Sequence, residues 1–414
     1  MLQREFELVS PQHASETLAI SGGSPVRKRP FPLWPQWGEE EKAQLLEVLE
    51  SRNWGGYHPK VREFEERWAA YCGTAEGVLA VNGTVTLVAC LLALGIKPED
   101  EVIVPAVTFV ATASAVSLVG AVPVFVDIDP ATLNLDPDRI EAAITPRTRA
   151  VIVVHFGGQP ADLDRVQEIA RDHNLKVIED AAHAHGSEWK GRRVGSFGDL
   201  ASFSFQNTKA LPSGEGGIVV GNASSPLDFV RSYVNQGRRP DRGWYEHFIL
   251  GTNARISGFQ AGILLAQLAR LDDQIATRTR NAALLSAELK SIPGVMVPDV
   301  RSEVTRHSFY ILPLRLRPNE LGTSMRVMVS AVEAEGIPVS AYPYPLYRNE
   351  VFQKVPTRVA DCPEAEKAAL EVAWLQGYAL LGDEEDIADV AAAFRKVAEQ
   401  KRDLPPSVQI QRQR

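Results

Sequence analysis

A lysine in the stretch Phe203-Ser-Phe-Gln-Asn-Thr-Lys209-Ala-Leu-Pro-Ser-Gly-Glu-Gly-Gly217 sits among small, hydroxyl-bearing and glycine residues, where an amine can be held close to a bound carbonyl. Upstream, the apolar run Lys176-Val-Ile-Glu-Asp180 ends on a carboxylate, which at a strand end can hold a heteroaromatic nitrogen protonated. An imine-forming amine and a carboxylate matched to a ring nitrogen together predict the chemistry of an aldehyde cofactor, pyridoxal 5'-phosphate. Lys209 then tethers the aldehyde and moves a proton between the substrate carbon and the cofactor, while Asp180 lets the ring accept electron density. Either residue alone has an ordinary explanation, a lysine in a glycine-rich loop or an aspartate capping a helix; their combination carries the reading. Glu179 is expected to point the other way, because neighbouring strand residues face opposite sides.

Further side chains suit the same pocket. Asn82-Gly83-Thr84 stands between an apolar run and a helical segment, and Ser204 lies five residues before Lys209. Gly83 permits close backbone approach, and the hydroxyls of Thr84 and Ser204 can donate to a phosphate near a helix start. Neither fragment is a dinucleotide or P-loop fingerprint, and each also fits a turn or cap. Phe109, after Val104-Pro-Ala-Val-Thr, can cover one face of the cofactor ring or simply fill a core. His183 and His185 invite a metal site, but two histidines two apart beside Asp180 form only a loose constellation. No metal is expected; His183 is read as a contact to the cofactor ring or its phenolate oxygen, and His185 and Glu215 as loop supports.

These residues need a scaffold. Between Gly77 and Gly221 short apolar runs alternate with longer helical segments, the pattern of a mostly parallel sheet covered by helices. Strands are expected over residues 77–81, 101–104, 122–127, 150–155, 176–179, 200–204 and 217–220, with helices over 84–94, 111–119 and 163–173 and a short crossover near 137–143. Helices at 39–49 and 60–71 precede this region. After it, a helix over 258–280 continues after a bend into 278–289, followed by a strand over 307–315 and helices over 324–335, 363–374 and 384–398. The organisation read from this is an arm over residues 1–37, a large cofactor-bearing domain over 38–280, and a smaller C-terminal domain with a tail over 281–414. Trp34 and Trp37 are expected to pack the arm onto the body, and the polar tail after residue 401 to fray.

With 414 residues and 45% hydrophobic composition the chain can build a large core. Its net charge of -8, from 52 acidic against 44 basic residues, offers no broad attraction for nucleic acid or an anionic membrane. The apolar stretches are broken by glycine, proline or charge before reaching membrane-spanning length. Cys72, Cys90 and Cys362 lack metal-ligand spacing and cannot form a disulfide framework, which favours a reducing compartment. Met1-Leu-Gln-Arg-Glu-Phe-Glu does not resemble a secretory leader, so a cytoplasmic location is expected.

The residues resemble the DegT-type family of sugar aminotransferases within the fold-type I pyridoxal-phosphate enzymes. The resemblance runs from near Leu18 to the final helices, with its strongest blocks at Glu101-Val-Ile-Val-Pro-Ala-Val-Thr-Phe109, Glu179-Asp-Ala-Ala-His-Ala-His-Gly186 and Ser202 to Gly217. It implies an α/β fold with a large mostly parallel-sheet domain and a smaller C-terminal α/β domain. It carries the lysine role to Lys209, the pyridine-nitrogen role to Asp180, ring stacking to Phe109 and phosphate binding to Gly83, Thr84 and Ser204. Family members commonly place a glutamine where this chain has His183, a departure that bears on the pocket at that point. Family dimers also complete each active site from the neighbouring subunit; Asn253 in Gly251-Thr-Asn-Ala-Arg255 matches a phosphate contact reached that way, with Arg255 helping the same loop. A homodimer with shared active sites is therefore implied.

The opening Leu18-Ala-Ile-Ser-Gly-Gly-Ser-Pro-Val-Arg-Lys-Arg-Pro30 and Trp34-Pro-Gln-Trp37 look most like the family branch acting on keto-cyclitols in aminoglycoside antibiotic biosynthesis. That branch includes aminotransferases for scyllo-inosose and 2-deoxy-scyllo-inosose, and the aminohydroxybenzoate synthases are near relatives. The resemblance implies two half-reactions: glutamine or glutamate gives up its amino group and leaves as a keto acid, then a cyclic polyhydroxy ketone collects the amine. Arg238, Arg239, Tyr342 and Tyr344 are the candidates to line the entrance. Three alternatives share the fold. A nucleotide-keto-sugar aminotransferase needs room for a diphosphonucleoside; a sugar dehydratase is disfavoured because the related dehydratases carry histidine where Lys209 stands; an inactive regulator needs no productive imine.

Overall fold

The short runs between residues 76 and 221 are rich in β-branched side chains and buried on both faces, as a sheet covered by helices requires. In the computed structural model, which describes residues 17–404, they assemble with one later strand into an eight-stranded sheet. From edge to edge its strands are Glu76–Ala80, Gly217–Gly221, Leu200–Ser204, Lys176–Asp180, Thr148–Val154, Glu101–Pro105, Val122–Val126 and Arg358–Val359. Gly217–Gly221 runs antiparallel to both neighbours; every other pair is parallel. The carboxyl ends of the parallel strands share one rim, the usual place for a ligand in such sheets, and Asp180 ends one of them.

The core beneath that rim is partly aromatic. Helix Pro59–Cys72 sends Phe64 and Trp68 against Phe203 and Phe205, edge to face at centroid separations of 5.4 Å for Phe64–Phe205 and 5.1 Å for Trp68–Phe203. Ser204, between the two phenylalanines, is thereby pointed to the opposite side, toward the start of helix Gly83–Ala93.

A second, antiparallel sheet of four strands follows in the order Val295–Met296, Ile311–Leu316, Val372–Gln376 and Val339–Ala341. One face packs on helices Met325–Ala334 and Glu384–Glu399 and on the end of helix Gly258–Leu289, around Leu285, Leu314, Met328 and Phe394. The arm docks here through Glu335, whose carboxylate accepts from the Ala19 and Val26 N–H groups and pairs with buried Lys396.

Several expectations are corrected. Gly258–Leu289 is one continuous helix rather than two meeting near residue 280, since neither glycine nor proline interrupts its later turns. The helix expected over 363–374 stops at Glu371, and Val372–Gln376 becomes a strand hydrogen-bonded on both sides, so sheet pairing overrides helical spacing. In the run expected as one strand over 307–315, the strand begins only at Ile311, after Phe309 takes a left-handed φ of 46°. Trp37 does not pack onto the body and stays 68% exposed, whereas Trp34 lies against the Arg278 guanidinium, 5.0 Å from its ring centroid. Residues 1–16 of the arm and 405–414 of the tail lie outside the described residues. No described helix is long and apolar enough to cross a membrane.

Candidate active site

Asp180 is buried at the rim, where its carboxylate accepts from Thr112 Oγ1 at 2.7 Å and from the Ala182 N–H at 3.3 Å. Burial pushes its pKa above the ordinary value, against the Thr112 hydrogen bond and the positive charge of Lys209. Thr112 is itself braced by Thr108 at 3.0 Å, four residues back. Lys209 sits on the loop after Leu200–Ser204, which is closed by bonds from the Phe205 N–H to the Gly216 carbonyl and from the Asn207 N–H to the Gly214 carbonyl. Its Nζ lies 4.6 Å from the ring centroid of Tyr310.

The far end of the cavity is a helix start. Asn82 caps helix Gly83–Ala93 by accepting the Val85 N–H at 2.9 Å, which leaves the first-turn N–H groups of Gly83 and Thr84 to meet an anion. A Cβ on Gly83 would fall 2.8 Å from that of Ser204, so only glycine leaves the backbone open beside the serine hydroxyl. His185 supports this corner: its Nε2–H donates to the Ser204 carbonyl at 2.8 Å, and burial pushes its pKa down to about 3.

His183 faces the cavity rather than His185, so the two imidazoles do not converge. Its Nδ1 accepts the Gly157 N–H at 3.4 Å, which puts the proton on Nε2, and its ring lies 4.3 Å from that of Tyr310. Burial first, then the charge of Lys209, hold its pKa well below the ordinary value, making it a neutral N–H donor. Phe109 is 64% exposed at the cavity edge, so it is no core aromatic. Tyr342 is buried with its hydroxyl toward the Ala106 carbonyl, and Tyr344 is exposed; both line the cavity.

The structure thus gathers Gly83, Thr84, Phe109, Asp180, His183, Ser204, Lys209, Tyr342 and Tyr344 around one cavity of about 880 Å³. Arg238, Arg239 and Asn253 are not in its wall. Arg238 is stacked on Trp244, Arg239 lies beside Phe248, and Asn253 bridges to Asn235 on the same outer segment. Sequence reasoning missed Thr112, Tyr310, Trp374 and Gln376. Thr112 lies in the first turn of helix Val110–Leu118, just after the strand Glu101–Pro105 ends, which was a usable signal for the first; the other three lie on or beside strands whose turn toward the cavity only sheet register reveals.

A parallel sheet ending in a buried carboxylate, with a lysine on the adjoining loop and a helix start opening on the same cavity, defines an α/β enzyme of the fold-type I aminotransferase kind. The chain belongs to the DegT/DnrJ/EryC1/StrS aminotransferase family, whose pattern matches residues 35–395. It is 38% identical over 412 residues to the L-glutamine:2-deoxy-scyllo-inosose aminotransferase of Streptoalloteichus tenebrarius, covering 92% of this chain and 97% of that protein. It is likewise 38% identical over 377 residues to the 3-amino-5-hydroxybenzoate synthase of Amycolatopsis mediterranei, covering 87% and 96%. The crystal structure of 3-amino-5-hydroxybenzoic acid synthase superposes with a TM-score of 0.86 at 35% identity, covering 90% of this chain and 100% of that one. DesI, solved in the presence of its TDP-sugar product, gives 0.83 at 32% identity, covering 93% and 97%.

Proposed function

We propose that this aminotransferase uses pyridoxal 5'-phosphate to move an amino group from glutamine or glutamate to a cyclic polyhydroxy ketone, a keto-cyclitol such as scyllo-inosose or 2-deoxy-scyllo-inosose. The observation that carries the reading is the convergence of Lys209, Asp180 and the first turn of Gly83–Ala93 on one cavity. Each end of the cofactor has a fitting host: the helix start with the Thr84 and Ser204 hydroxyls would hold its phosphate, and the buried Asp180 carboxylate would hold its ring nitrogen. When bound, the cofactor supplies an electron sink for the carbon that gains or loses the amino group.

The chain's own residues do the rest. Asp180, costly to bury ionised, would be compensated by a protonated ring nitrogen. Lys209 Nζ would hold the cofactor's aldehyde end and would carry the proton in both half-reactions. Phe109 and His183 would bound the ring, and the neutral Nε2–H of His183 would suit a phenolate oxygen.

The relatives' names favour glutamine as donor and a keto-cyclitol as acceptor. Aromatic, amide and hydroxyl groups in the cavity wall, among them Tyr342, Tyr344, Asn349 and Gln376, support a hydroxyl-rich ring as acceptor. We place the enzyme in the cytoplasm as a homodimer with an arm through residue 37, a large unit over 38–280 and a smaller one from 281. The exposed aromatic and aliphatic residues Trp244, Tyr245, Phe248 and Leu250 support a dimer surface on this segment, which would bring Arg238, Arg239 and Asn253 to the neighbouring site.

The test uses purified holoenzyme. Glutamine and glutamate are first offered as donors and the cofactor spectrum followed; scyllo-inosose, 2-deoxy-scyllo-inosose and a nucleotide keto-sugar are then offered as acceptors. The proposal expects a keto-cyclitol to restore the starting spectrum; restoration by the nucleotide sugar alone would replace it with a nucleotide-sugar enzyme.

A further inference from the structure

The four-stranded sheet has two unlike faces. Its register sets Ile311 opposite Gln376, Pro313 opposite Trp374, and Trp374 opposite Ser340, so these side chains share one face. Leu312, Leu314, Ala373 and Leu375 alternate onto the other and fill the second core. The first face is part of the cavity wall, through Ile311, Trp374 and Gln376. It stands beside the reacting centre, because Ile311 directly follows Tyr310, whose ring meets Lys209 Nζ.

The polar groups on this face are not consumed by the fold. Gln376 Nε2 donates to Ser340 Oγ at 3.2 Å, which orients the carboxamide and leaves Oε1 without a protein donor among the described residues. The Trp374 indole is half-buried, and its N–H likewise has no acceptor among them. A flat apolar surface beside an oriented, unused carbonyl suits a ligand with C–H groups on its faces and hydroxyls at its rim. An extended amino-acid donor has no such ring face.

We propose that Trp374 and Gln376 form the acceptor subsite, the indole packing on the C–H face of the cyclic ketone and Gln376 Oε1 accepting from a ring hydroxyl. This deepens the keto-cyclitol reading and rests on it. Both residues determine which acceptor is used and leave the donor half-reaction untouched.

Holoenzyme carrying Gln376→Leu, Trp374→Leu or Trp374→Phe is compared with the unchanged protein in each half-reaction separately, with glutamine as donor and 2-deoxy-scyllo-inosose as acceptor. Gln376→Leu raises the acceptor KM about 10-fold, as expected for one lost hydrogen bond, and changes the donor half-reaction less than about twofold. Trp374→Leu costs the acceptor step about 30-fold, and Trp374→Phe recovers most of it because a flat ring remains. Toward a cyclohexanone lacking hydroxyls, Gln376→Leu makes no difference. Equal losses in both half-reactions would show a merely structural role and overturn the subsite, as would an unchanged acceptor KM in both leucine variants. If the unchanged protein aminates only a nucleotide keto-sugar, the functional reading fails before any variant is compared, and the subsite falls with it.

Discussion

Lys209 and Asp180 contribute very different amounts to the fold, and this separates their chemistry from their packing. Lys209 meets the ring of Tyr310 through its amine and its charge acts on Asp180, so Lys209→Ala should keep its circular dichroism and shift its melting temperature by only a few degrees while both half-reactions fall about 10³-fold or more. Asp180 has the opposite profile. Its folded pKa is raised by burial, so the protein without cofactor loses stability as pH rises through that value, and a neutral replacement removes the cost. Cofactor-free Asp180→Asn should therefore melt higher than the unchanged protein at neutral pH, with the gap closing below about pH 4, while its affinity for pyridoxal phosphate drops about 10- to 100-fold by equilibrium titration. A lower melting point at neutral pH would contradict the sign. Both residues were legible in sequence because each is out of place in its surroundings, an amine among small residues and a carboxylate ending an apolar run. Tyr310 and Trp374 were not, since aromatics in apolar runs are ordinary core residues until a sheet face is known.

At the scale of elements, the strand ends are locked by Glu179, which points away from the cavity as strand alternation requires. Its carboxylate accepts from the N–H groups of Gly195, Phe197 and Gly198 at 2.7–2.8 Å and from His155 Nε2 at 3.1 Å, while His155 Nδ1 accepts from Ala161. Burial alone would raise its pKa, but these donors hold it below the ordinary 4.5. Glu179→Gln, which sets an amide N–H against donors, should cost about 3 kcal/mol in chemical denaturation. Because the folded pKa is depressed, the stabilisation is complete above pH 4.5 and lost as pH falls through the folded value, so the two proteins should converge in acid. The parallel strands were readable because each is a short, fully buried apolar run between helices. Val372–Gln376 was not: its Val-Ala-Trp-Leu-Gln continues a helical spacing, and only pairing with Ile311–Leu316 and Val339–Ala341 makes it a strand.

At the scale of the whole molecule, the cavity as one subunit builds it lacks Asn253, Arg238 and Arg239, which stand on an outer segment with exposed Tyr245 and Leu250. The proposed sharing of sites between two subunits makes a specific demand. Lys209→Ala and Asn253→Ala homodimers should each be impaired, and subunits of the two, unfolded and refolded together, should recover about one quarter of normal activity, since half the dimers carry one intact site. No recovery would place Asn253 in its own subunit's chemistry or outside it. The role proposed for Asn253 rests on family resemblance, because no spacing along one chain reports what a second copy supplies. All of this depends on one bond to one nitrogen, which borohydride reduction of the holoenzyme followed by peptide mass mapping reads directly. The cofactor's mass is expected on the peptide containing Lys209 and on no other, and is expected to disappear in Lys209→Ala; a fully active enzyme carrying that mass on a different lysine, or on none, would contradict the role given to Lys209.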